Sequence, residues 1–424
     1  PIRAIFIKYT GTLDSACTIT IGPNTVNKFC FIHNATSGSQ SIIISQGSGA
    51  NVTIATGQTK GVYLDGAGSG AAVIDSFATL SVVDLLVDDD LTVTDDAAIG
   101  GDLSVTGAIN GVGIISNITN FSEGILISDD ASTGTLSTAS YNTGFGTRVF
   151  EDLTSGDSNN AFGRVALANL TTGSNNVAFG SDSLFTNTTG SNNVALGGNA
   201  LQANTTASDS TAVGYQAAYS NTTGANSDAF GYRALYTNTT GTQNVAIGSY
   251  ANYLNTTGNY NVSLGYGALL SNTTASNNTA VGYQAAYSNT TGLQITAIGY
   301  RALYSNTGVG AANTATGYET LYSNTTGQFN SALGRQALYS NTTASNNTAV
   351  GYQAAYTNTT GSSLVAMGHT ALRQNSTGSS NVASGYAAMY SNTTGSSNTG
   401  LGHNALHLNT TASNNTAVGA LAAY

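Results

Sequence analysis

Residues 274–292 read TASNNTAVGYQAAYSNTTG, and the glycine near their middle, Gly282, belongs to a series that recurs every seventeen residues. Gly146, Gly163, Gly180, Gly197, Gly214, Gly231, Gly248 and Gly265 precede it, Gly299 follows, and the series resumes from Gly317 to Gly419. Fifteen of the sixteen intervals are 17 residues; the interval from Gly299 to Gly317 is 18, because Gly308 to Asn313 replace the usual linker. A fixed period of this length marks a repeat architecture, in which each unit buries its apolar face only against its neighbours.

With the recurrent glycine as position 0, the residue at −1 is apolar in fifteen of seventeen units, Thr316 and Ser384 being the exceptions. Position −2 is always Ala, Gly or Ser, and −3 is usually Val or Thr, as at Val194, Thr211, Val245 and Thr279. Alternation of this kind predicts a short strand with a tiny inward residue. The closing glycine permits a turn or a close backbone approach that a side chain would block. Ala at +3 (Ala166, Ala217, Ala285) and Leu at +4 (Leu167, Leu235, Leu303) fit a second short strand or one helical turn equally well, because a four-residue apolar run is too short to show a period. The remaining Asn-Thr-Thr-Gly/Ala-Ser-Asn-Asn is turn chemistry. Asn at +7, as in Asn187, Asn204, Asn221, Asn238, Asn255 and Asn272, recurs without a gap to Asn409. Stacked coils would set these residues in an amide ladder. One coil per unit at the sheet spacing of about 4.8 Å predicts a rod of roughly 80 Å. A second period of four units lies over the first, since close variants of the opening stretch recur around Gly214, Gly282 and Gly351.

Composition excludes a thick core: the 424 residues include 51 Gly, 12 Phe, 2 Met and no Trp. Charged residues are 7%, far below the roughly 25% of ordinary soluble domains, so Asn, Thr, Ser and Gly must supply the hydration, as on a secreted or virion protein. The net charge is −10, but sixteen of the twenty acids precede residue 158, which leaves the repeats five Arg against four acids. A chain without a basic face is not expected to bind nucleic acid or an anionic membrane. No run of eighteen apolar residues exists to span a bilayer. Cys17 and Cys30 are expected as two buried free thiols rather than a disulfide framework.

The spacing of motifs divides the chain into an N-terminal β module over 1–76, a stalk of short L-x-V repeats over 77–113, an adaptor over 114–140 and seventeen repeats over 141–424. In the first zone, apolar runs such as Ala4 to Ile7 and Ile42 to Ile44 alternate with Gly, Asn, Ser and Thr. In the second, Leu80, Leu91 and Leu103 each open a short alternating strand that buries almost nothing unless several copies wind about an axis.

Residues 29–75, FCFIHNATSGSQSIIISQGSGANVTIATGQTKGVYLDGAGSGAAVID, resemble a module common in tail-fibre proteins of tailed phages, especially those of marine and cyanobacterial hosts. Residues 91–111, LTVTDDAAIGGDLSVTGAING, resemble the slender trimeric stalks of phage fibres. The motif N-x-A-V/I/L-G, as in Asn244 to Gly248 and Asn278 to Gly282, resembles the head repeats of trimeric autotransporter adhesins, and the form matched by Gly334 to Ala344 also resembles phage-fibre repeats. Both resemblances imply one fold: all-β, an elongated parallel β-roll or β-solenoid of 17-residue coils, homotrimeric, with an N-terminal β module and a thin trimeric β stalk.

Reactive groups are sparse. Beyond residue 158 the acids are Asp182, Asp209, Asp228 and Glu319, and a paired-carboxylate glycosidase would need two of them to converge. His33, His369, His403 and His407 are too few for a metal cage, so His369 and His403 read as replaced tyrosines at +1. The acidic run at Asp88 to Asp90 with Asp95 and Asp96 lacks the ligand spacing of a calcium loop. No catalytic residue, metal site or cofactor is expected. The candidate contacts are the tyrosines at +1, Tyr215, Tyr232, Tyr283, Tyr300, Tyr352 and Tyr386, accompanied by a second row at +5. At least one row is expected to pack between subunits, where amphipathic rings serve well; stacking on sugar rings is the competing role.

These features predict a structural fibre subunit of a phage virion tail. It would join other tail proteins at its N-terminal end, pair with copies of itself, and attach to host cell-surface polysaccharide through a long trimeric shaft. A bacterial surface adhesin or filament subunit is the alternative, and a polysaccharide depolymerase tailspike the second. Tyr424 falls within an eighteenth unit, so further chain is expected after it: a self-cleaving chaperone in a phage fibre, or a membrane-anchoring barrel in an autotransporter.

Overall fold

The computed structural model describes residues 5–78, 108–109, 112–118, 121–128, 133–308 and 312–424, and the chain divides into two compact units, Pro1–Asp102 and Leu103–Tyr424. The leucines expected to open stalk strands, Leu80, Leu91 and Leu103, lie outside the described residues.

Among its described residues the first unit holds seven strands: β1 (Phe6–Thr12), β2 (Cys17–Thr20), β3 (Asn27–Ser37), β4 (Ile42–Ser45), β5 (Val52–Ile54), β6 (Thr59–Asp65) and β7 (Val73–Asp75). They form two sheets, ordered β1–β3–β6–β7 and β2–β4–β5. Period-two alternation turns Cys30, Ile32 and Asn34 of β3 inward, where Ile42, Ile44, Ile54, Val62 and Leu64 join them in a core. Burial pushes the Cys30 thiol above its usual range. Cys17 departs from expectation: both thiols are free, but Cys17 is exposed, at the start of a short strand of which Cys17, Thr18 and Thr20 are all exposed.

In the second unit β8 (Ala108–Ile109), β9 (Val112–Ile118) and β10 (Phe121–Ser128) pair antiparallel in order. β10 then pairs parallel with β11 (Ala139–Ser140) and β12 (Thr143–Phe145), which starts the stack. From β12 to β28 (Thr416–Val418) there are seventeen three-residue strands, one per coil, each parallel to the next. Val194, Ala195 and Leu196 pair with Thr211, Ala212 and Val213, seventeen residues on. Thr296 pairs with Thr314, so the single 18-residue interval is absorbed without a shift in register. The unit is an all-β parallel solenoid with one coil per repeat.

The segment from +1 to +6 is neither a second strand nor a helical turn. Residues at +2 and +4 take left-handed backbone, as in Gln216 (φ 56°), Ala218 (φ 50°), Arg233 (φ 52°) and Leu235 (φ 55°). The N–H at +2 reaches back one coil (Gln216 to Gly198 O, 3.0 Å), whereas those at +4 and +6 reach forward (Ala218 to Ala234 O, 2.9 Å; Ser220 to Tyr236 O, 2.9 Å). Left-handed backbone costs a non-glycine residue about 1–2 kcal/mol. The reversed peptides meet that cost by keeping backbone groups bonded between coils around the turn, where a buried unpaired group would cost more.

The interior is narrow. Ala at −2 (Ala195, Ala212, Ala229) faces Ala at +3 (Ala200, Ala217, Ala234) and Leu at +4 (Leu201, Leu235, Leu269), all fully enclosed within one chain. One coil breaks the pattern: Asn252 occupies +4 between Leu235 and Leu269, fully buried, and neither its side-chain oxygen nor its nitrogen has a partner. Asn252→Leu would remove two unpaired buried groups and join Leu235 to Leu269 in an unbroken run. It is expected to raise stability by about 2 kcal/mol, measurable as a higher denaturant midpoint; an unchanged midpoint would show that the amide is satisfied.

Candidate functional site

Side chains pointing inward build the scaffold that aligns those pointing outward. Asn187, Asn204, Asn221, Asn238, Asn255 and Asn272 at +7 are buried, and from Asn204 onward each donates to the amide oxygen one coil back: Asn204 to Asn187 at 2.9 Å, Asn221 to Asn204 at 3.2 Å, Asn238 to Asn221 at 2.7 Å, Asn255 to Asn238 at 2.8 Å and Asn272 to Asn255 at 2.9 Å. A second asparagine row at −4 went unnoticed in the sequence, although it heads the N-x-A-V-G motif. Asn176 N–H and Nδ2 both donate to Asn159 Oδ1, at 2.9 and 3.0 Å, and Nδ2 also reaches Gly190 O at 2.9 Å. Gly180, Gly197, Gly214, Gly231, Gly248 and Gly265 have φ between 127° and 143°, and a Cβ on any of them would fall within 2.8 Å of backbone in the next coil.

Two aromatic ladders run along the outside. At +1, Tyr215 stacks on Tyr232 (centroids 5.9 Å apart), Tyr266 on Tyr283 (5.5 Å), Tyr283 on Tyr300 (5.4 Å) and Tyr300 on Tyr318 (5.0 Å). Where Ser249 interrupts, Tyr250 at +2 closes the gap edge-on to Tyr232 and Tyr266. His369 stacks between Tyr352 (5.0 Å) and Tyr386 (5.1 Å), and His403 continues from Tyr386 at 5.1 Å, so both histidines take tyrosine places in the ladder. The +5 ladder runs through Tyr304, Tyr322, Tyr339 and Tyr356 at 5.1 Å per step. Burial first, then the Glu319 carboxylate, push the Tyr339 phenol above its usual range.

These spacings decide what the rows can touch. Ring faces are occupied by neighbouring rings, or by Arg335 between Tyr318 and Tyr352, so Tyr232, Tyr283, Tyr300, Tyr352 and Tyr386, between 37% and 52% exposed, present edges and hydroxyls outward. A sugar ring needs an open aromatic face, and the ladder offers one at Tyr215, where the preceding +1 residue is Gly198 and a Cβ there would stand 3.6 Å from the ring.

Between the ladders lies a polar row at +2, also unread from the sequence, whose signal was the repeated Gly-Tyr-Arg-Ala-Leu-Tyr at Gly231 and Gly299. Arg233 Nε donates to Gln216 Oε1 at 2.8 Å, Arg301 Nε to Gln284 Oε1 at 2.9 Å, Gln336 to Glu319 at 3.0 Å and Gln353 to Gln336 at 3.0 Å. The −1 residues form a further outward row: Phe179, Leu196, Phe230, Ile247, Leu264 and Ile298 are all 38% exposed or more. Thr316 leaves a shallow depression in this row, bounded by Leu333 and Val350.

Asp182 is paired with Arg164 at 2.6 Å, and Asp209 accepts from Asn192 at 3.0 Å. Among the described residues no three His, Cys, Asp or Glu side chains converge as metal ligands would, and no helix is long and apolar enough to cross a membrane. Comparison with protein-family models, curated proteins and solved structures returns no match, so the reading of this face rests on its own geometry.

Proposed function

We propose that the chain is a structural subunit of a phage tail fibre, in which three copies pack along the solenoid and hold an extended surface against host polysaccharide. It would reside in the virion tail and join other tail proteins through its N-terminal unit. The observation that carries the reading is the −1 row. A closed solenoid needs nothing outside itself at these positions, yet most coils place Phe, Leu, Ile, Val or Met there, and the exposed members continue from Phe145 (54%) to Val418 (68%). Contiguous apolar strips of more than a few hundred Å² mark surfaces that another protein covers. Sister chains are the natural cover, because a row with a seventeen-residue period is matched coil for coil only by the same row. Stacked amides and rings give the shaft stiffness, and three linked copies multiply weak surface contacts.

Light scattering on the full chain is expected to give about three times the subunit mass of 42.8 kDa. The variant Ile247→Thr/Leu264→Thr/Ile298→Thr should shift the protein toward monomer by tenfold or more in dissociation constant while the far-ultraviolet spectrum is unchanged, since Thr316 shows that threonine fits at −1. A wild-type monomer at micromolar concentration would sink the trimer. Binding of the purified chain to cells should fall when periodate destroys their surface polysaccharide, and persistence of binding would remove polysaccharide as the target.

A further inference from the structure

We propose that Arg233 and Arg301 are paired anion clamps that hold acidic groups of a polysaccharide laid along the face between the two tyrosine ladders. The inference rests on the polysaccharide-binding reading and specifies the chemistry of the ligand: a polymer carrying carboxylate or sulfate groups.

Each arginine is fixed by the same construction. The Arg233 guanidinium carbon lies 5.2 Å from the Tyr232 ring centre and 5.3 Å from that of Tyr236, and Nε donates to Gln216. Arg301 lies 5.2 Å from Tyr300 and 5.4 Å from Tyr304, and Nε donates to Gln284. These contacts set each group over two tyrosine rings and use its Nε–H. Neither terminal nitrogen of either arginine has a hydrogen-bond partner among the described residues, so four N–H donors on each remain in the fork geometry that fits a carboxylate or sulfate. Holding the fork beforehand lowers the entropy cost of binding. Gln216 and Gln284 thus act as positioning residues.

Sequence places the two clamps four coils apart, about 19 Å at the strand spacing. Charge agrees with an anionic ligand: after Gly214 the chain has Arg233, Arg301, Arg335 and Arg373 but only Asp228 and Glu319 as acids. Glu319 is engaged by Gln336. Arg335 lies 5.3 Å from Tyr318, and Arg373 Nη1 donates to Tyr390 Oη at 3.1 Å, so these two extend the positive face with different geometries. Four guanidiniums over eight coils, about 38 Å at the strand spacing, are too sparse for duplex DNA, which carries one charge per about 1.7 Å. They suit a chain whose acidic groups are spaced by sugar units.

The test titrates the full chain with polygalacturonate, its methyl ester, dextran sulfate, dextran and duplex DNA. Polygalacturonate or dextran sulfate should bind at least tenfold more tightly than the ester or dextran, and the choice between the two polyanions distinguishes carboxylate from sulfate. R233Q/R301Q should lose about tenfold in affinity for each arginine, and R233K/R301K should recover only part of it, because an ammonium cannot fill the fork. The Gln variant keeps the fold: Gln353 already bonds Gln336 at this position, and an unchanged melting temperature checks it. Equal binding of polygalacturonate and its ester, unaffected in R233Q/R301Q, overturns the clamps while polysaccharide binding stands. Binding to no polysaccharide overturns both ideas, and binding to DNA alone overturns the choice of ligand.

Discussion

Replacing Gly248 with alanine is expected to break the solenoid between two coils. Its φ of 127° is one that L-residues rarely adopt. A Cβ would stand 2.7 Å from the oxygen and 2.8 Å from the carbonyl carbon of Gly265. Those atoms are backbone, held by the strand pairing of Val245 to Ile247 with Val262 to Leu264, and cannot swing aside. Backbone strain of 1–3 kcal/mol and overpacking of similar size give a local cost of about 4 kcal/mol. Nearest-neighbour coupling confines that loss to one interface, so the stack should open there and not melt throughout. Hydrogen exchange should accelerate in residues 245–265 while distant coils keep their protection. Gly11→Ala is the control, since φ there is also 125° but a Cβ would meet nothing within 4 Å. It should cost clearly less, and equal effects at 248 and 11 would refute the steric account.

Asn255→Ala is expected to cost about 3 kcal/mol, the second largest effect. Asn255 Nδ2 donates to Asn238 Oδ1 at 2.8 Å and to Gly258 O at 3.0 Å, and its Oδ1 accepts from Asn272 at 2.9 Å. Alanine would leave Asn238 Oδ1 and one N–H of Asn272 unpaired in a buried setting, where each orphan costs about 1–3 kcal/mol. Gly258 O retains Asn244 at 2.8 Å and is spared. Denaturant titration would measure the change. A loss below 1 kcal/mol would mean that the ladder follows the fold and does not stabilise it. Asn255→Asp should be worse, because a carboxylate accepts from Asn272 but cannot donate to Asn238 or Gly258.

Legibility tracks how local each signal is. The strand at −3 to −1 was readable because alternation of Val, Ala and Ile is a property of three adjacent residues, and one coil per repeat followed from the glycines. The turn at +1 to +6 was not readable, since Leu235 and Gln216 show no preference for the left-handed backbone they adopt; inter-coil hydrogen bonds impose it. Tyrosines at +1 and +5 could be counted, but their face-to-face stacking depends on an axial spacing that makes each ring cover the next. That spacing removes most open faces and shifts interest to the edges and to the arginines between them. The arginines themselves escaped notice because Arg233 and Arg301 are single residues sixty-eight positions apart, and only coiling makes them two instances of one construction.

The segment at Gly308 to Asn313 has a practical meaning. Asn306 and Asn313 are buried on either side of it, Asn324 still donates to Asn306 at 3.0 Å, and Thr314 to Thr316 rejoin the sheet. Alignment is therefore kept by side-chain rungs and not by counting residues, which makes the linker between Asn306 and Asn313 a place to insert foreign peptides without shifting the coils before and after it.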